Sequence, residues 1–139
     1  MRGCLCFLLL ALGCALAADP STSPSEILTG KLVLTAGKPP ALELADHKLV
    51  QLDGDESTRK ILGDQRLNGF EVQAKGRTTF PGRFFLDPFH TSPLMVLKDG
   101  KLKRITYWCA TCHLRAFTPG LCVCCQGETE LDLIDPDAP

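Results

Sequence analysis

Gly69-Phe-Glu-Val-Gln-Ala-Lys-Gly76 alternates Phe70, Val72 and Ala74 with Glu71, Gln73 and Lys75. A period of two puts the apolar set on one face and the polar set on the other, the pattern of a strand half buried against a core. Working upstream, Ile27 to Thr35 reads as a first strand with Gly30 as a bulge, stopped by Lys38-Pro39-Pro40. Leu42 and Leu44 flank Glu43, and Leu49, Gln51 and Leu52 follow the polar Asp46-His47-Lys48, which predicts a tight hairpin. A short helix is expected over Glu56 to Leu62, capped by Asp55 or Ser57. Downstream of the opening stretch, Pro81-Gly82 turns the chain into a fifth strand at Phe84 to Leu86. Three strands, a short helix and two more strands predict a mainly β fold, a small OB-like Greek-key barrel over residues 26–90.

A second unit, residues 91–135, is expected after Asp87-Pro88. Leu94 to Leu97 and Leu102 to Trp108 bracket Lys98-Asp99-Gly100-Lys101, and Asp-Gly between apolar runs is a strong hairpin signal. The second strand runs straight into Cys109. Thr118-Pro119-Gly120 predicts a turn, Glu130 to Ile134 alternates weakly as a last strand, and residues 136–139 read as a fraying tail.

The first eighteen residues differ from the rest. Arg2 precedes a nearly unbroken apolar run from Cys4 to Leu16, and Ala15-Leu16-Ala17 has the small-x-small form of a signal-peptidase site. That run is short for a bilayer, so residues 1–18 read as an export signal and the protein as periplasmic or secreted, of bacterial type. A lipid anchor at Cys14 is the rival reading, weakened by Ala11-Leu12-Gly13 upstream of it. Residues 19–25 form a Pro/Ser-rich linker. The 139-residue chain has a formal charge of -1, 45% hydrophobic and 22% charged residues. That balance describes a globular chain with no electrostatic footprint for nucleic acid, and no later stretch is apolar enough to span a membrane.

Removal of the leader takes Cys4, Cys6 and Cys14 with it. Five thiols remain, at Cys109, Cys112, Cys122, Cys124 and Cys125, an odd number that cannot pair off within one chain. Three chemistries compete for them. In the first, Cys109 and Cys112 form one knuckle and Cys122 and Cys125 another, together a zinc-ribbon-like tetrahedral site suited to zinc, with Cys124 spare. Lys101, Lys103, Arg104 and Arg115 lie close enough in sequence to offset thiolate charge. In the second, Cys109-Ala-Thr-Cys112-His113 is a C-x-x-C-H haem c attachment site, with Met95, His47 or His90 as distal ligand, or else a reactive thiol pair. In the third, two disulfides staple an exported domain that binds without metal. The paired two-residue spacers favour the metal site, because cysteines so close together seldom present disulfide geometry.

Tyr107-Trp-Cys109-Ala-Thr-Cys112-His113, then Pro119-Gly120-Leu-Cys122-Val-Cys124-Cys125 and Leu131, resembles the small heavy-metal-binding domain attached to bacterial copper and silver efflux proteins. That family reads Tyr-x-Cys-Pro-Met-His, then Pro-Gly-x-Cys-Pro-x-Cys-Gly-Met, then a Leu. The resemblance implies metal ligation by Cys109, Cys122 and Cys125, with Cys112 where the family has His. Thr111 and Gly127 stand at its two Met positions, and loss of those soft thioethers moves the expected ion from copper or silver towards zinc.

The remaining candidates are weaker. Asp53, Asp55 and Glu56 lack the spacing of a calcium loop and read as turn and cap residues. Phe80, Phe84, Phe85 and Phe89 cluster without a basic stripe, so core packing is expected rather than a stacking surface. There is no Gly-x-Ser-x-Gly, no phosphate-cradling glycine loop and no acid pair with a base, so no enzymatic activity is expected. The partner expected is a metal ion, with any protein partner left open.

Overall fold

The structure, a computed structural model, describes residues 24–138. The expected leader, Cys14 and most of the linker lie outside the described residues. The chain runs β1 (Glu26–Val33), β2 (Ala41–Glu43), β3 (Leu49–Asp53), α1 (Glu56–Leu62), β4 (Glu71–Phe80), β5 (Arg83–Leu86), β6 (Leu94–Lys98), β7 (Lys101–Cys109), β8 (Leu114–Ala116) and β9 (Glu130–Ile134). Short 3-10 turns cover Gln65–Leu67 and Phe89–Thr91.

Five strands close on themselves. β1 pairs antiparallel with β2, β2 with β3, β3 runs parallel to β5, β5 pairs with β4, and β4 returns to β1. The alternation along the opening stretch points Val72 and Ala74 inward, where Leu32, Leu42, Leu52, Phe84 and Leu86 meet them, all essentially solvent-free. Phe84 joins this core and Phe85 and Phe89 are half-buried, but Phe80 is 66% exposed, so the phenylalanines do not pack as one cluster.

Gly30 is not a bulge. Its register with Val72 is regular, and β1 changes partner beside it: Lys31 is opposite both Glu71 on β4 and Glu43 on β2. A Cβ at Gly30 would run into the Glu43 carbonyl oxygen, so the glycine serves close approach of two backbones. Gly76 does the same where β4 meets β5, against the Phe85 carbonyl.

α1 has the predicted limits, and Asp55 caps it. Its Oδ1 accepts from the Thr58 N–H at 2.9 Å, and Oδ2 accepts from the Phe89 N–H at 2.8 Å, tying the helix to the segment after β5. Ile61 and Leu62 pack into the barrel core with Leu67. Asp53 pairs with Arg59 at 2.7 Å, so both aspartates of the calcium-loop candidate have structural partners.

The β6–β7 hairpin turns at Asp99 and Gly100, both at positive φ (53° and 72°), as a tight turn matched to strand twist requires. β6 pairs with β4 through Val72↔Val96, so the barrel sheet continues into the hairpin, and Leu94, Val96, Ile105 and Tyr107 belong to the same core. β8, which carries no strand signal in the sequence, pairs with the end of β7. The expected last strand is β9, which lies antiparallel to β7 from Arg104↔Ile134 to Trp108↔Glu130.

Candidate metal centre

Cys109 is the last residue of β7, and Cys112 lies in the turn that reverses the chain into β8. His113, at φ 51°, completes that turn. The second pair is presented by a tighter loop. The Cys122 N–H donates to the Gly127 carbonyl at 2.8 Å and the Gln126 N–H to the Cys122 carbonyl at 3.0 Å, closing residues 122–127 on themselves. Gln126 takes φ 58° to make the turn, and the Gly127 N–H points at Cys125 Sγ, 3.4 Å away. Gly127 has room for little else, since a Cβ there would sit 3.3 Å from that sulfur. Thr129 Oγ1 donates to the Gly120 carbonyl at 2.7 Å and locks the Pro119-Gly120 entry to the loop.

The sulfurs of Cys109, Cys112, Cys122 and Cys125 all lie within 4.8 Å of one another. Cys109 and Cys125 are 3.6 Å apart. A tetrahedral ion with metal–sulfur bonds of ~2.3 Å has sulfur–sulfur edges of about 3.8 Å, so the four sulfurs, none more than 4.8 Å from another, could surround one ion after shifts of about 1 Å or less. All five cysteines among the described residues are free thiols; Cys109 and Cys122 are buried, Cys125 is exposed and Cys112 lies between. Cys124 is exposed and outside the four-sulfur group.

The thiols are not equivalent. Backbone N–H groups of Cys125 and Cys124 stabilise the Cys122 thiolate and bring its pKa down to about 7. The Cys112 N–H favours the Cys109 thiolate, but burial and the sulfurs of Cys122 and Cys125 outweigh it and leave that pKa raised. Cys112 is pushed well above the ordinary thiol range by the neighbouring sulfurs of Cys124 and Cys125, and then by burial. One thiolate is accommodated by local N–H groups, and ionisation of Cys109 and Cys112 is opposed by burial and the neighbouring sulfurs.

Two of the four cations expected to offset thiolate charge are directed elsewhere. Lys103 pairs with Asp135 at 2.6 Å, and Arg115 with Asp132 at 2.6 Å while lying 5.1 Å from the Trp108 ring centre. His113 is exposed and packs against Trp108, ring centres 6.0 Å apart, rather than entering the sulfur group. His47 sits in the β2–β3 turn with Nδ1 2.8 Å from Glu43 Oε1, and His90 follows β5 beside a cavity.

Sequence reasoning missed the residue that fastens this module to the barrel. Arg66, in the 3-10 turn after α1, pairs with Asp64 at 2.9 Å, lies 5.1 Å from the Tyr107 ring centre and donates from Nη1 to the Thr129 carbonyl at 2.8 Å. No local pattern marks it, because its partners come from distant segments. Among the described residues no helix is long and apolar enough to cross a membrane. No family model, curated protein or solved structure matches the chain.

Proposed function

We propose that the chain is an exported, non-enzymatic protein in which Cys109, Cys112, Cys122 and Cys125 hold a zinc ion that orders the C-terminal module. The observation that carries this reading is the convergence of four sulfurs to within 4.8 Å from two separate turns. A d¹⁰ ion accepts the tetrahedral thiolate set without electronic penalty, and four protein ligands leave no open position for substrate or activated water. The site is thereby of structural character. The likeness of the knuckle segment to the heavy-metal-binding domain of copper and silver efflux proteins supports metal ligation, and the lack of Met at its two positions supports zinc over the softer ions.

The ring order β1-β2-β3-β5-β4, with α1 between β3 and β4, supports an OB-type barrel, and the two cysteine turns support a zinc-ribbon-like attachment. Segment 110–129 contributes only Cys122 and Thr129 as buried residues, too little apolar area to fix its own shape. A metal would supply that order. The barrel with its appended module reads as an interaction unit exported by the apolar leader at residues 1–18.

The test is the mature protein purified without added metal and examined by metal analysis, intact mass and visible absorption. One zinc per chain with all thiols unmodified is expected. A haem mass increment with a Soret band overturns the reading in favour of Cys109/Cys112/His113 attachment. Loss of four hydrogens with no metal overturns it in favour of disulfides.

A further inference from the structure

A cavity of about 290 Å³ lies between α1, the segment after β5, and β7. Its apolar wall includes Ile61, Phe89 and Ile105, with Phe117 beside them, 47% exposed. Into this wall is set one cation, Arg104. The Arg104 backbone is fixed on both edges, opposite Met95 on β6 and Ile134 on β9, so the side chain starts from a rigid base.

Arg104 is half-buried, its Nε is shut off from solvent without a hydrogen-bond partner, and no carboxylate among the described residues pairs with it. Its neighbours on the same module, Lys103 and Arg115, each have an aspartate. Thr58 Oγ1 is also buried in this wall without a well-formed hydrogen bond, and it lies close enough to the Asp55 carboxylate to help keep that group ionised. Asp55 does not line the cavity, and its oxygens already accept the Thr58 and Phe89 N–H groups. The other ionisable wall residue is His90, and no carboxylate is among the residues that line the space.

We propose that this cavity binds a small amphipathic carboxylate, its carboxyl group on the Arg104 guanidinium and its apolar body against Ile61, Phe89, Ile105 and Phe117. An apolar pocket with a few converging polar groups is the usual form of a small-molecule site. A guanidinium without a counter-charge selects a planar anion that it can meet with paired N–H groups. The volume holds about ten water-sized groups, which limits the ligand to roughly the size of benzoate.

The test titrates the reduced, zinc-supplied full chain with sodium benzoate, benzyl alcohol or sodium acetate at constant ionic strength, followed by amide and Arg Nε–H NMR. Benzoate is expected to shift Ile105, Phe117 and Arg104 saturably, and to bind about tenfold or more tightly than the alcohol, which lacks the charge, or acetate, which lacks the ring. Arg104→Gln should bring benzoate down to the level of benzyl alcohol, and Arg104→Lys should fall between. Equal affinity for benzoate and benzyl alcohol overturns the proposal, as do shifts confined to other surfaces or no saturable shift at millimolar concentration. Should Arg104→Gln fail to fold, the comparison of benzoate with benzyl alcohol on the unaltered chain decides.

Discussion

The Arg66 guanidinium donates to the Thr129 carbonyl oxygen at 2.8 Å, joining the 3-10 turn of the barrel to the strand that leaves the cysteine loop. The same side chain is held by Asp64 and lies over Tyr107, the largest fully buried side chain of the core. Replacing Arg66 by Met keeps the apolar stem and removes the donors. It should lower stability by about 1 kcal/mol, read from urea unfolding. Amide exchange should rise around Thr129 and Gly120 more than in β1 or β4, because the bond fastens the loop and not the ring.

The sulfur geometry separates Cys122 from Cys124, two residues apart. Cys122→Ser removes a buried member of the four-sulfur group and should weaken zinc binding by about 100-fold or more, since even outer-shell partners cost 10–100-fold. Cys124→Ser removes an exposed thiol outside the group and should leave one metal per chain. Equal metal loss in the two variants, measured by metal analysis after gel filtration, would reassign the ligands.

Gly30→Ala places a Cβ against the Glu43 carbonyl where β1 passes from one partner to the other. Backbone is on both sides of the clash, so the substitution should cost roughly 1–3 kcal/mol. Gly37→Ala is the matched control. That position has open space but a φ of 74°, so the expected cost is only the left-handed penalty of about 1 kcal/mol. Urea midpoints should rank unaltered chain, Gly37→Ala, Gly30→Ala in falling order.

Asp64 contributes to stability in a pH-dependent way. Burial alone would raise its carboxyl pKa, but hydrogen bonds from the Arg66 side chain and backbone N–H bring it below the ordinary 3.8. A carboxyl depressed in the folded state stabilises above its unfolded pKa and loses that contribution as pH falls through the folded one. Asp64→Asn should therefore be less stable than the unaltered chain at pH 7, by roughly 1 kcal/mol. The gap should narrow as pH is taken below 3.8. A gap that widens in acid would contradict the assignment.

What the sequence made legible was local. Alternation revealed the strand containing Val72 and Ala74, Asp99-Gly100 marked the β6–β7 hairpin, and Asp55 and Leu62 bounded the helix. The two C-x2-C spacings named the four sulfurs that converge. What stayed hidden depends on residues far apart in the chain. Gly30 carried a bulge signal because a strand glycine looks the same whether it kinks a strand or admits a neighbouring carbonyl. β8 is three residues long and is held by the turn before it, not by its own pattern. The cations near the cysteines were expected to offset sulfur charge, but β9 brings Asp132 and Asp135 beside Arg115 and Lys103. The cavity beneath Arg104 draws its walls from four segments and has no linear trace.

The sharing of β1 between β2 and β4 also sets a kinetic order. Hairpins such as β2–β3 and β6–β7 rest on nearby residues and can form within about 1–10 μs. Ring closure cannot begin so early, because Glu26 must find Gly76 and Lys31 must find Glu71 across the whole of α1 and its neighbouring hairpin. Such non-local pairing belongs to the class of chains that fold in milliseconds to seconds. Until it happens, Leu28 and Leu32 have no cover on the β4 side. The slow step of folding is thus expected at the junction beside Gly30.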